Sequence, residues 1–512
     1  MDEGKVTIDL GGRQRHEAKR KYIGRSAKRQ KIFGHPRGLG ALALGNFCNS
    51  AAWGAFYAIM IFYLYTPFTR GLGFSQGDAA LLISAMGAAN ALLVIVGSWL
   101  SDRVLGMRKA LIIGNLLKAL AFFLLAIPPA TQASGQVLAF IALILLSIPI
   151  MGASNPSLTG QLYDKDDNQR RDAAFTVHQF ANTAAGILIP VLVAQLGMKN
   201  YHIGFTVAGI FALLYGATIF FTQYRFFGPL GEKPTMPLKP EEWKKVGFIS
   251  IVIVAVAGGI VGGLIAAEKL SLHGFINIIT TCTFLIPILF LAHLFLKKDL
   301  TRVDRRHFRP FMAFFLAQII VALGGNMLTS AVAIFIDQKL ERQFFGFTIA
   351  PGSVPIIYTI LSLIASPIFI YLWTKMKSDK LQTVGKYGLG LIISALAFFT
   401  LAIPTVLIGG GGRFSMWWIV VYYIFMSVSD QLIWPIGSSM VSRLSPKAYQ
   451  TQMQTAFGQT AAIGNGIALI LFQFFKTADQ QVYLFPIMAG VLALVALILL
   501  AFWKKIESQM AE

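Results

Sequence analysis

Gly97-Ser98-Trp99-Leu100-Ser101-Asp102-Arg103-Val104-Leu105-Gly106-Met107-Arg108-Lys109 joins two apolar blocks, near residues 78–100 and 108–128. Each block is long enough, at about 20 residues, for a helix to cross a hydrocarbon core of about 30 Å. Glycine permits close helix approach and a tight turn, and an acid with three bases at helix ends can pair internally and with the helix dipoles. The stretch reads as a short charged turn between two membrane-spanning helices. Its Gly97, Asp102, Arg103, Gly106, Arg108 and Lys109 are either the parts of a gating latch or, more plainly, a solvated turn.

The same alternation of apolar block and short polar turn runs through all 512 residues. The chain is 55% hydrophobic and 13% charged, with a mean hydropathy of +0.64, whereas a soluble domain carries about a quarter charged residues. Fourteen blocks stand near 39–66, 78–100, 108–128, 136–160, 173–196, 203–223, 247–267, 275–296, 310–336, 352–374, 386–408, 416–442, 449–475 and 480–503. This is the pattern of an all-α membrane protein with 14 transmembrane helices.

A net charge of +21 would suggest nucleic-acid binding in a soluble chain. Position decides otherwise. With the N-terminus inside, 36 of the 44 Lys and Arg residues fall on one side and 7 on the other, leaving Lys118 within a helix. That asymmetry places both termini in the cytoplasm of a multi-pass cell-membrane protein, with membrane lipids rather than nucleic acid as its surroundings. The basic tail, residues 1–38, sets this orientation or rests on anionic lipid. Cys48 and Cys282 lie in separate apolar blocks, with no disulfide or metal-ligand spacing. No nucleophile with a base, phosphate loop or metal cluster is present, so neither an enzyme nor a cofactor is expected.

Residues 224–246 contain four prolines and several charges, and a second basic stretch covers 297–309. The expected organisation is a six-helix bundle at 39–223, a linker with an inserted helix pair at 224–308, a second six-helix bundle at 309–503 and a cytoplasmic tail at 504–512. Such a 6+2+6 layout fits a transporter of two halves. Two sites of helix interruption are expected, Ile148-Pro149-Ile150-Met151-Gly152-Ala153-Ser154-Asn155-Pro156 in the fourth span and Trp434-Pro435-Ile436-Gly437 in the tenth. Either they serve moving parts or their small residues serve helix packing.

The latch stretch resembles the G-x-L-x-D-R-x-x-G-x-R-K loop of the major facilitator superfamily. Asn168-Gln169-Arg170-Arg171-Asp172-Ala173-Ala174-Phe175 is similar to the R-R-D-A-G-F segment of the proton-dependent oligopeptide transporter family. His35-Pro36-Arg37-Gly38 and Pro435-Ile436-Gly437-Ser438-Ser439-Met440-Val441 match that family as well. The resemblance implies the major facilitator fold, a bacterial setting, and a peptide importer with a cavity between its halves. It adds Arg170, Arg171 and Asp172 to the gating group. It also implies charges that this chain lacks. Gly45, Cys48 and Asn49 stand at the positions of the first-span E-x-x-E-R, Gly152 at that of a fourth-span Lys, and Asn326 at that of a seventh-span acid, while Asp430 keeps its charge.

What remains around the expected cavity is hydrogen-bonding and largely neutral: Asn49, Asn155, Gln179, Asn182, Asn326 and Gln431 are substrate-binding candidates, with Trp53 shaping a side-chain pocket. Asp430 is a candidate for a ligand amine or a transported proton, or else a polar strut. His178 is a second candidate for proton coupling, or a packing histidine. Lys118, about 10 residues into the third span, reads first as snorkelling or paired with a neighbouring helix, with a substrate role as the weaker alternative. The leading expectation is a secondary transporter of short peptides or peptide-like amines, working by alternating access with atypical proton coupling. A proton-independent facilitator or exchanger of a neutral solute and a non-transporting sensor of the same fold are the rivals.

Overall fold

Helices follow the apolar blocks because a backbone in hydrocarbon must satisfy its own hydrogen bonds. The computed structural model describes residues 31–32, 35–152, 154–163, 168–235, 237–244, 272–296, 300–344, 347–375, 383–408, 412–444 and 450–511. Its first six spans are α1 (Arg37–Tyr65), α2 (Gln76–Leu100), α3 (Met107–Ala126), the pair α4 (Gln132–Leu146) and α5 (Ser154–Gln161), α6 (Asn168–Lys199) and α7 (Tyr201–Thr222). Then comes α8 (Leu272–Phe295), followed by α9 (Arg302–Thr329) with α10 (Ala331–Lys339), α11 (Ile356–Lys375), α12 (Thr383–Ile408) and α13 (Met416–Leu444). The chain ends with α14 (Gln450–Gly458), α15 (Thr460–Phe474), the short α16 (Ala478–Gln481), α17 (Leu484–Ala501) and α18 (Trp503–Ala511).

Among the described residues, 12 helical stretches are long and apolar enough to cross a membrane. The expected span at 136–160 is built in two pieces, α4 and α5, and the expected span at 247–267 lies outside the described residues. Polar residues stop and start the helices at the membrane surface. Ser75 caps α2 by accepting from the Asp78 N–H at 3.0 Å, and Thr131, Thr301 and Thr477 form capping boxes at α4, α9 and α16.

In the first half α3 packs on α7, and α1 on both α6 and α7; in the second, α12 packs on α13 and α17, and α9 on α15. The halves meet along α2 with α15 and along α6 with α11, and α8 lies against α2 and α15 at that seam. At the end opposite the basic loops the seam is tight. The Tyr65 hydroxyl donates across it to Asp337 Oδ2 at 2.5 Å, whose Oδ1 is held within the second half by Arg342 at 3.1 Å, and the Ala478 N–H donates to Gln76 Oε1 at 2.7 Å. Gly352 lies so close to α1 that a Cβ there would stand 1.9 Å from the Ala58 carbonyl oxygen.

The interruptions differ from the sequence expectation in three places. The fourth span breaks at Pro149 as expected, and Gly152 turns the chain with φ +44° before Pro156 enters the first turn of α5, where a missing N–H breaks no helical bond. The tenth span does not break: α13 runs through Pro435. The proline only removes the N–H that would have bonded the Gln431 carbonyl. Breaks occur instead in the seventh span at Ser330 and in the eleventh at Gln459.

Candidate functional site

Four elements of the first half and one of the second enclose a cavity of about 530 Å³. Asn49, Trp53 and Tyr57 of α1, Asn90 of α2, Gly114 and Lys118 of α3, residues 148–152 of the break and Asn465 of α15 line it. Asn49, Trp53 and Tyr57 recur every four residues, so they share one face of α1. The Trp53 and Tyr57 rings stack with centroids 5.6 Å apart. The wall is not wholly neutral, because Lys118 reaches across from α3 and donates from Nζ to Asn49 Oδ1 at 2.5 Å. Its ammonium lies 5.7 Å from the Trp53 ring centroid. Pairing with a neighbouring helix was among the leading sequence readings of Lys118, and a substrate role was the weaker one.

The other candidates fall into separate groups. Asn326 accepts from Ser84 at 3.0 Å and donates to Asn465 Oδ1 at 2.9 Å, bridging the two halves beside the cavity. Asn182 accepts from Ser50 at 2.9 Å. Asn155 is buried and donates to the Tyr215 hydroxyl and, at 3.4 Å, to the Leu42 carbonyl, holding α5 against α7 and α1. Tyr215 also explains Gly45: a Cβ at Gly45 would stand 2.0 Å from its ring, so the space a first-span glutamate would need is filled by an aromatic side chain.

His178 is buried between three helices. Asn46 Nδ2 donates to its Nδ1 at 2.5 Å, and its Nε2 meets Thr159 Oγ1 at 2.9 Å, whose own proton goes to the Asn155 carbonyl at 2.9 Å. The tautomer protonated at Nε2 satisfies all three contacts, so the neutral imidazole suits this pocket. Asp430 lies in the second half, where it accepts from the Tyr358 hydroxyl of α11, while Gln431 donates to Ser366 Oγ at 3.0 Å. The side chain of Gln179 lies outside the described residues.

The latch stretch has partners that sequence reasoning missed. After α2 the chain makes a π-helical turn over Ser101–Leu105 and reverses at Gly106, with φ +80°. Gly97 faces the fourth-span break, where a Cβ would stand 1.8 Å from the Pro149 carbonyl oxygen. Arg108 is 1% exposed. It donates to the carbonyls of Gln223 at 2.7 Å and Gly228 at 3.0 Å, stands 3.4 Å from Glu232, and lies 5.6 Å from the Tyr224 ring centroid. Arg103 pairs with Glu242 at 3.2 Å. The Lys239 N–H, with Arg103 beside it, holds the Glu242 carboxyl below the usual carboxylate range. Thus the linker, rather than a free solvated turn, covers this loop. Asp102 is half-buried and Lys109 exposed, and the side chains of Arg170, Arg171 and Asp172 lie outside the described residues, although their backbone opens α6.

Two sets of membrane-spanning helices meeting along a seam, a polar cavity within that seam and a charged loop after the second span define a membrane transporter of the major facilitator fold. Residues 108–488 match the model of the POT family, and the chain belongs to that family. It is 28% identical to the di-/tripeptide transporter of Lactococcus lactis subsp. cremoris, over 94% of this chain and 98% of that one. It is 26% identical to the uncharacterized transporter YclF of Bacillus subtilis, over 93% and 94% of the two chains. Among solved structures, the peptide transporter POT in complex with sulfate superposes with a TM-score of 0.90 at 26% identity, covering 96% of this chain and 99% of that one. A POT family transporter in complex with 5-aminolevulinic acid superposes with a TM-score of 0.86 at 25% identity, covering 93% and 98%.

Proposed function

We propose that this protein is a secondary transporter that moves di- and tripeptides across the cell membrane by alternating access. The observation that carries the reading is the cavity at membrane depth, lined from both halves and rich in amide side chains: Asn49, Asn90 and Asn465 supply donors and acceptors in the pattern a peptide backbone needs. Relatives named as di-/tripeptide transporters, and a solved POT family transporter in complex with a thioalcohol-conjugated peptide, support it. The tight contacts of Tyr65, Asp337 and Gly352 close the outer end, as one of two alternating states requires.

In this reading Asp430 serves the peptide amine or a transported proton, with Tyr358 as the donor that holds its carboxylate between turnovers. His178, satisfied as a neutral ring, is a positioning residue rather than a proton carrier. Arg170, Arg171 and Asp172 belong with the latch stretch to the gating group, and Gln179 and Asn182 remain substrate-binding candidates. Uptake of a labelled dipeptide into liposomes, with an inward proton gradient on or off, tests the proposal. Uptake should rise with the gradient. It should fall about 10- to 100-fold in Asp430→Asn, the effect of losing a hydrogen bond to a charged group, and survive in part in Asp430→Glu. Uptake indifferent to the gradient would favour the facilitator reading that the missing first-span charges suggest. No uptake by folded protein would remove the peptide reading.

A further inference from the structure

Lys118 is 8% exposed, at a depth where an uncompensated charge is strongly disfavoured. An ammonium carries three N–H donors and no acceptor. The Asn49 carbonyl takes one, and the face of Trp53 attracts the cation without neutralising it. Among the described residues no carboxylate bonds to Lys118, and the side chain stands on the wall of the cavity. An anion entering the cavity would neutralise that charge and take up its remaining donors.

We propose that Lys118 is the carboxylate-binding residue of this cavity, taking the C-terminal carboxylate of the substrate while Asn49 aims the ammonium and Trp53 shields it from water. The proposal rests on the peptide reading above and gives it a specificity: a free C-terminus is selected over a blocked one. It also answers the lack of a cation at Asn49 and Gly152, because a side chain from the third span brings a positive charge beside those two positions.

The test is binding to purified protein of four probes: a dipeptide, its C-terminal amide, the N-acetylated dipeptide, which keeps the carboxylate and lacks the amine, and a control blocked at both ends. Each is measured with wild type, Lys118→Gln, Lys118→Met and Lys118→Arg. Wild type should prefer the free acid over the amide by about 10- to 100-fold, the range expected for a hydrogen-bonded charged pair. Lys118→Gln and Lys118→Met should lose that preference while still binding the amide, which shows that they are folded, and Lys118→Arg should restore part of it. The preference should persist between the N-acetylated dipeptide and a doubly blocked control, separating this end of the ligand from Asp430. If wild type binds acid and amide equally, or Lys118→Gln keeps the full preference, the Lys118 assignment is wrong and the peptide reading stands. If wild type binds none of the probes, both are wrong.

Discussion

Replacing Gly97 by alanine tests how closely α2 approaches the fourth-span break. The added Cβ would stand 1.8 Å from the Pro149 carbonyl oxygen and 2.8 Å from its carbon. Both are backbone atoms, so no side chain can swing aside, and α2 must part from the break by more than about 1 Å to regain a van der Waals contact. Overpacking of this kind costs about 1–3 kcal/mol in a well-packed interior, and the rigid neighbour places Gly97→Ala at or above the upper end. Gly160→Ala is the control: it lies in α5, a Cβ there meets nothing within 4 Å, and alanine is favoured over glycine in a helix by about 0.5–1 kcal/mol. Heat-induced unfolding of purified protein in detergent should therefore show Gly97→Ala melting well below wild type and Gly160→Ala at or slightly above it. Gly97→Ala should also lower dipeptide uptake, because the displaced break forms part of the cavity wall. Equal melting of Gly97→Ala and wild type would refute the close-approach argument.

Arg108→Met should destabilise the protein by about 2–4 kcal/mol, since two backbone carbonyls near the end of α7 lose a buried charged donor. Glu232→Gln should cost under about 1 kcal/mol, because that carboxylate is partly exposed and its pairing is screened; thermal unfolding of both variants checks the contrast, and equal losses would contradict it. Tyr65→Phe and Asp337→Asn should each weaken the outer closure and raise the labelling of cysteines introduced beside Tyr57 by a reagent added from outside. Unchanged labelling would mean that these contacts do not hold the closed state.

The apolar blocks made the helices legible, because length and hydropathy act locally along the chain. The break at Pro149 and Gly152 was legible for the same reason. Pro435 was misread: a proline in a helix flanked by α11 and α12 kinks or weakens one bond without ending the helix, and packing decides which. The site was less legible than the fold. Trp53 and Asn49 were named as candidates from the sequence and line the cavity, but the contacts of Asn155 with Tyr215 and of His178 with Asn46 and Thr159 join residues 19 to 132 positions apart. Lys118 was legible in part: pairing with a neighbouring helix was read from the sequence, but its partner was not, and only the three-dimensional path of α3 shows that its side chain points toward Asn49.

The linker after α7 has a mechanical meaning beyond its length. Twenty-three extended residues, 224–246, could reach about 80 Å, slack enough to leave two moving bodies independent. Its stretch from Tyr224 to Glu242 is instead fastened to the loop after α2 at Arg103, Gly106 and Arg108. That part travels with the first half as ballast rather than rope. A pull or a charge applied there is delivered to the turn between α2 and α3, not spread between the halves.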